Sequence, residues 1–541
     1  MKRCPSCQLT YTDETLKFCR EDGSALITLM PSLDDLPATL VFNKTWTNQF
    51  TTEPLPLTTA QLSAPQDANA RRRASRKAID SLAILPLVNS SADPNMEYMS
   101  DGITESIINN LSQLPKLRVM ARSTVFRYKG RDADPLEVGN ELRVRAVLTG
   151  RVNQLSDQLM ISAELVDVLD GTQLWGEQYN RKFSDIFEVQ EDIAREISGK
   201  LRFRLTNKEK EQLTKRYTDN TDAYQCYLKG RYSWNKRTEA GFERAIHHFN
   251  GAIKEDFNYA LAYTGLADSY VLLSVYGVLA PDAAFTKARA AAIKALELDD
   301  SIAEAHTSLA HIKESYEWNF SGAERKFQRA IDLNPNYAVA HHWYAHHLMA
   351  MGRFEESLKE IKKARELDPL SLSINVSVGL AFYWARKYEQ ALEHFFKTVE
   401  IDSSFPLVHV LLGQTYEQIG MYKEAAAELD KAKALDDTPQ VSAIRARIYA
   451  LSGQQDEAER LLEELNQTAN LKYVSAYFRA LIYEGLGNRD EAFRWLNHAY
   501  DERSGWMVWL KVEPKLDSLR SDPRFEELLR RVGLVADEKQ E

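Results

Sequence analysis

The sequence predicts a multidomain chain. A small cysteine-bearing module comes first, then an α/β domain of order β-α-β-α-β-β-β-α, then an all-α solenoid of repeated helix pairs. Three observations carry this. At 541 residues the chain exceeds what one hydrophobic core organises. Cys4, Cys7 and Cys19, three of the four cysteines, fall within the first twenty residues, a clustering that suits metal rather than disulfides. The glycines at 352, 420, 453 and 487 lie 68, 33 and 34 positions apart, which marks a 34-residue unit with one glycine replaced by Arg386.

Composition narrows the function classes. The chain is 44% hydrophobic and 27% charged, ordinary values for a water-exposed protein. Its net charge of −10 argues against nucleic acid as the main partner, because phosphate backbones need a basic surface. No run of eighteen apolar residues occurs, so no membrane span is expected. The opening MKRCPSCQLTYTDE has basic residues but no apolar stretch behind them, unlike a signal peptide. The expected compartment is the cytoplasm.

Residues 1–30 hold CPSCQLTYTDETLKFCREDG. A CxxC turn presents two thiolates to one tetrahedral ion, and a second such knuckle completes the set. Here the second knuckle is Cys19-Arg20-Glu21-Asp22, with Asp22 where a fourth cysteine would stand. The segment resembles small zinc ribbons of pattern CPxC…FCxxDG found at the N-termini of some bacterial multidomain proteins. The resemblance implies a structural zinc on Cys4, Cys7, Cys19 and Asp22; the alternative is the same small fold without metal. A segment this short needs a staple in any case.

Residues 31–78 are rich in Pro, Thr, Ser and Ala without periodicity and read as a flexible linker. They end in the basic run RRRASRK, whose Ser75 is a candidate modification site and whose ordinary reading is a solvated charge run.

In residues 79–206, IDSLAILPLVN reads as a buried strand. MSDGITESIINNLSQL reads as a helix starting near Asp101-Gly102, with Ile103, Ile107, Ile108, Leu111 and Leu114 at helical spacing. KLRVMARSTV reads as a strand, and DPLEVGNELRV as a short helix opened by Asp134-Pro135. Alternating residues with turn signals at Ser156-Asp157 and Asp170-Gly171 give three antiparallel strands. FSDIFEVQEDIAREISGKLRFRL closes as an amphipathic helix. The phrases ILPLVN, YMSDGITESI, VMARSTVFRYKG, VLTGRV, DGTQLWGEQY and IFEVQEDIA resemble the N-terminal domain of TolB and the flagellar FlgO-type domain. In bacteria such domains often precede helical repeats, and some of those chains add a nucleotide cyclase, a kinase or a winged-helix domain. The sequence has no phosphate loop of either glycine-rich kind and none of the carboxylate and transition-state residues a cyclase domain needs. Asp101, Glu105 and Glu177 read as caps or solvated charges, and Trp175 as core.

After a connector at 207–221, residues 222–500 repeat. FEESLKEIKKARELDP, YEQALEHFFKTVEID, YKEAAAELDKAKALD, DEAERLLEEL and DEAFRWLNHAY are variants of one pattern. Small residues such as Ala345, Ser357 and Ala364 sit where paired helices touch, while Tyr344, Leu348 and Ile361 fill the space between them. The pattern resembles the tetratricopeptide repeat and implies about eight units. Residues 501–541, including EPKLDSLRSDPRFEELLRRVGL, then cap the last repeat.

In such repeats the first helix of each unit lines a concave groove. The groove positions hold His311, His342, His346 and Met349, then Leu380, Tyr383 and Trp384, then Gln414 and Glu417. The paired histidines at 342 and 346 read as groove wall, as a pH-sensitive peptide contact, or as metal ligands joined by His311. HWYAH has no acid between the histidines, so it is not a metalloprotease helix. His341 takes a packing position.

The expected function is a non-enzymatic interaction scaffold or signalling adaptor that binds a partner peptide in the groove. The alternative is an accessory subunit of an enzyme, whose α/β domain binds a nucleotide or other small molecule.

Overall fold

The computed structural model describes residues 79–535 except 92, 156 and 201–204, and six residues of three short strands before them. These strands, β1 (Lys2–Arg3), β2 (Thr10–Tyr11) and β3 (Ile27–Thr28), form an antiparallel sheet of order β2-β1-β3. Cys4, Cys7, Cys19 and Asp22, the linker 31–78 and Ser75 lie outside the described residues.

The main body begins with the α/β domain. Strand β4 (Ser81–Ile84) is wholly buried and pairs in parallel with both β6 (Arg118–Val119) and β7 (Ala146–Leu155). Pro86, which has no amide hydrogen to give a sheet, separates β4 from the short β5 (Val88–Asn89), which pairs with β7. Strands β7, β8 (Gln158–Asp167) and β9 (Gln173–Lys182) form an antiparallel meander, so the sheet order is β6-β4-β7-β8-β9. Helices α1 (Glu97–Ser112) and α4 (Ile186–Lys200) pack on this sheet through Ile103, Ile107, Leu111, Ile186, Ile193 and Ile197. Between them lie α2 (Arg122–Val125) and α3 (Pro135–Glu141), the latter capped by the Asp134 carboxylate on the Leu136 amide.

Two local expectations are corrected. Gly102 does not open a helix; α1 starts five residues earlier and runs through it. A Cβ there would sit 2.6 Å from a Leu228 methyl, so the glycine lets a repeat helix approach closely. The strand expected over KLRVMARSTV is two residues long. The Ala121 amide bonds to Leu367 O in the repeats, and the chain turns into α2.

Helix α5 (Asn207–Leu213), opened by a capping box on Thr206 and Glu209, leads into eight helix pairs. They are α6/α7 (Thr221–Trp234, Glu239–Glu255), α8/α9 (Ala260–Val275, Pro281–Leu298), α10/α11 (Ala303–Ser315, Phe320–Leu333) and α12/α13 (Ala338–Ala350, Phe354–Leu367). Then come α14/α15 (Leu372–Trp384, Tyr388–Ile401), α16/α17 (Pro406–Gln418, Tyr422–Leu435), α18/α19 (Pro439–Leu451, Gln455–Ala469) and α20/α21 (Ala476–Gly485, Arg489–Asp501). The turn inside a pair needs a left-handed residue. Gly352, Gly420, Gly453 and Gly487 supply it, and Arg386 adopts the same conformation at φ 61°.

The α/β domain and the repeats share one core. Tyr224, Tyr227, Leu228 and Phe249 of the first repeat belong to the same buried cluster as the sheet. Polar contacts fix the register along one edge of the solenoid. The Asn336 side-chain amide donates to the carbonyls of Ser112, Leu114 and Leu117, each at 3.0 Å. The Asp368 carboxylate accepts from Ser123 and Thr124. Glu105, expected as a solvated charge, is buried against Arg231 (2.6 Å) and Arg122 (3.1 Å), one partner from each module. Trp175 is core, and Glu177 is exposed on β9.

Candidate interaction site: the inner face of the repeats

The first helix of each pair turns the expected groove residues inward, but this chain already fills the space in front of them. After α21 the backbone turns at Arg503 (φ 56°) and forms two 3-10 segments, Gly505–Trp509 and Pro514–Leu519, before helix α22 (Pro523–Val532). The first segment lies against α10 in the third repeat and the second against α20 in the eighth. The Trp509 ring stacks on Trp384 at 4.0 Å and 12° and meets His346 edge-on at 6.0 Å. Val512 joins the apolar cluster of Val376, Leu380 and Tyr383. Glu513 and Lys515 form a buried ion pair at 2.8 Å beside the Tyr383 hydroxyl, which lies 3.4 Å from the lysine.

Arg386, the residue in place of the missing turn glycine, clamps this segment. Its guanidinium donates to Val512 O and to both Asp517 oxygens, at 2.8 and 3.2 Å. Arg237 and Trp318 take the same left-handed conformation in the corresponding turns of the first and third pairs, so a non-glycine residue is tolerated there; at Arg386 it also directs the guanidinium onto the tail. Further on, Tyr500 packs on Trp318 of the third repeat at 4.9 Å, and Arg503 lies over the same indole. The tail therefore does more than cap the last repeat; it ties the eighth repeat back to the third.

The nine residues expected to meet a partner thus face this chain's own atoms. Met349 and Tyr383 are 0% and 1% exposed, and His342, Leu380, Trp384, Gln414 and Glu417 are also buried. His311 and His346 are half-buried. In this packing the positions expected to face a partner are buried or half-buried. Sequence reasoning missed Trp509, Glu513 and Lys515 as lining, because nothing within a repeat reports a segment that returns from 505–519.

Two structural sets stand out among the histidines, while His347 is buried against Glu314 at 3.1 Å. His342 Nε2 and His346 Nε2 each lie 2.8 Å from Ser377 Oγ, whose hydroxyl donates to Ser373 O. One serine oxygen therefore lies within hydrogen-bond distance of both imidazoles. Among the described residues no three His, Cys, Asp or Glu side chains are grouped to hold a metal ion. The second set recurs along the array. His306, His341 and His409 each place Nε2 within 3.0 Å of the carbonyl six residues earlier, and Asn375 does the same with its amide. His341 and His409 also meet a glutamate on the following helix at 2.6 Å, Glu360 and Glu428. They latch the loop between one repeat and the next.

Burial makes the inner histidines pH-sensitive. Loss of water holds His342 well below the usual histidine value, with His346 beside it adding to the effect. The same cause pushes His346 down to about 4. A depressed histidine is neutral in the folded chain and takes up its proton on unfolding. Stability is therefore full above the unfolded value of about 6.5 and is lost as pH falls toward about 4, at up to about 1.4 kcal/mol per pH unit for each histidine. Urea midpoints should fall across that window, and His346→Gln should flatten the fall. Equal slopes in the two proteins would contradict the assignment.

Fold and site together define a class: a tetratricopeptide-repeat solenoid with an α/β domain docked along it. A family model of the second domain of HilA/YgeH-like transcriptional regulators matches residues 77–196. Tetratricopeptide-repeat models match 318–373, 385–448 and 439–464. The family matched over the α/β domain is thus the HilA/YgeH-like one, where the motifs suggest TolB. Among curated proteins, the chain is 34% identical over 235 residues to "Putative adenylate cyclase 3" of Rhizobium meliloti (strain 1021), covering 42% of this chain and 39% of that protein. It is 24% identical over 318 residues to "Transcriptional regulator HilA" of Salmonella typhimurium, covering 58% and 54%. The chain spans about half the length, or less, of these relatives. Pseudomonas aeruginosa pilF is a similar solved structure, with TM-score 0.31 and 21% identity over 39% of this chain and 91% of that one.

Proposed function

We propose that the chain is a non-enzymatic interaction scaffold, a regulatory adaptor that engages a protein partner through its repeats. The observation that carries this reading is the locking of two modules into one body by Glu105, Asn336 and Asp368. Such a body offers a partner one rigid composite surface rather than two tethered ones. Similarity to a transcriptional regulator across 318 residues supports a regulatory setting. The inner groove is held by residues 505–519, so the partner docks on outer faces and edges while the tail is in place. Among the described residues no helix is long and apolar enough to cross a membrane.

Affinity capture with the full chain, read by mass spectrometry, should return a stoichiometric protein partner whose binding survives His342→Ala. Incubation with ATP should yield no cyclic nucleotide. Cyclic AMP formation by the purified chain would overturn the reading.

We also propose a structural zinc on Cys4, Cys7, Cys19 and Asp22. Three thiolates and a carboxylate are donors that zinc accepts, and strands β1–β3 bracket the cysteines in sequence. Metal analysis of the purified chain should find equimolar zinc, lost in the Cys4→Ser, Cys7→Ser double variant. A metal-free wild-type chain would refute it.

A further inference from the structure

A second concave site lies between the α/β domain and the first repeat, away from the inner groove. It is a cleft of about 350 Å³. Pro94, Asn95, Glu97 and Tyr98 at the start of α1 form one wall. Lys229, Tyr232, Ser233 and Lys236 from the end of α6, with Arg244 and His248 of α7, form the other.

Its charge is unbalanced. Lys229, Lys236 and Arg244 make no ion pair with a carboxylate among the described residues, in a chain whose net charge is −10. Lys129, which reaches Glu97 of the lining, and Arg122 and Arg231, which share Glu105, are paired. The one carboxylate in the lining, Glu97, is committed elsewhere: Lys129 Nζ lies 2.7 Å from it, and the Asn89 amide donates to it at 3.2 Å. The two lysines are placed by aromatic rings, Lys229 5.1 Å from the centre of Tyr98 and Lys236 4.7 Å from that of Tyr232. Gln225 donates to the Tyr98 hydroxyl at 2.8 Å and steadies that ring. His248 is held below its usual value first by burial, then by the positive charges of His247, Lys229 and Arg244, as a cationic hollow requires.

Three uncompensated cations around a concave space favour a compact anion over a flat macromolecular surface. Lysine and arginine together suit a phosphate group, the guanidinium offering paired donors and the ammonium groups point charges. We propose that this cleft binds a small phosphorylated ligand, with the phosphates held by Lys229, Lys236 and Arg244 and the rest of the molecule against Tyr232. Because α1 supplies one wall and α6 the other, the ligand bridges the two modules. The assignment is independent of the scaffold reading and of the inner groove.

The test is isothermal titration of the full chain with tripolyphosphate and with ATP, at physiological ionic strength. Saturable binding of either is expected. The Lys229→Gln, Arg244→Gln double variant should bind at least about tenfold more weakly, since two charge-assisted contacts to the phosphates are lost. Lys229→Arg should retain binding. Both positions are at least partly exposed, and circular dichroism is to check that the variants fold. ATP binding tighter than tripolyphosphate binding would support the seat on Tyr232, and equal affinity would overturn that part of the proposal. Absence of binding by both probes, or equal affinity in wild type and double variant, would overturn the proposal.

Discussion

Replacing Trp509 with alanine is expected to lower the stability of the repeat body by about 3 kcal/mol, the low end for truncating a packed aromatic side chain. The indole stacks on Trp384 and closes over His346, so its loss opens a hole between the tail and the fourth and fifth repeats. Arg386 then clamps a segment with less holding it. The expected signs are a lower urea midpoint and faster proteolysis within residues 503–520. Trp506→Ala should cost less proteolytic protection there, because Trp506 packs on Tyr477 and Phe478 of the adjacent last repeat rather than on the far wall. A Trp509→Ala chain as stable and as protease-resistant as wild type would mean that the tail is not seated as described.

The second large effect is expected at Arg447. Its guanidinium is 5% exposed and lies between two buried carboxylates, bonding Glu417 at 2.8 Å on one side and Glu484 on the other, and it donates to Leu481 O at 3.1 Å. Three consecutive repeats are joined by that one side chain. Arg447→Met keeps the volume but strands two buried negative charges, a change that costs about 3–5 kcal/mol. The loss should be greater near neutral pH than in mild acid. Near neutral pH the stranded carboxylates carry buried, uncompensated charge, and protonation in acid removes it. Adding Glu417→Gln and Glu484→Gln to Arg447→Met should recover much of the loss. No recovery in the triple variant would show that the arginine acts through packing rather than charge.

The repeat architecture was legible because its cause is local. Small residues at helix contacts and left-handed turns recur at fixed spacing, and each is readable within about 34 positions. The α/β elements were legible for the same reason, through alternation and helical periodicity. What the sequence did not show depends on distant pairs. Glu105 looked solvated because Arg231, 126 residues away, supplies its counter-charge. Gly102 looked like a helix start because Leu228, which needs the space, is equally remote. The groove positions were placed on the inner face by repeat geometry, yet nothing within a repeat reveals that residues 505–519 return to cover them. Arg386 stands where other turns have glycine, but so do Arg237 and Trp318, so the substitution by itself does not announce the tail. The four clustered histidines misled for a related reason: Ser377, which takes both His342 and His346, lies in the next repeat.

An open stack of repeats touches neighbours alone and can fray from a free end, one unit at a time. Here Tyr500 and Arg503 reach Trp318 while Trp509 reaches Trp384, so the later units rest on the earlier ones as stones lean on the keystone of an arch. Peeling away the eighth unit means prising it from the third as well. Amide protons from the third unit to the eighth should then exchange as a single block rather than in a gradient.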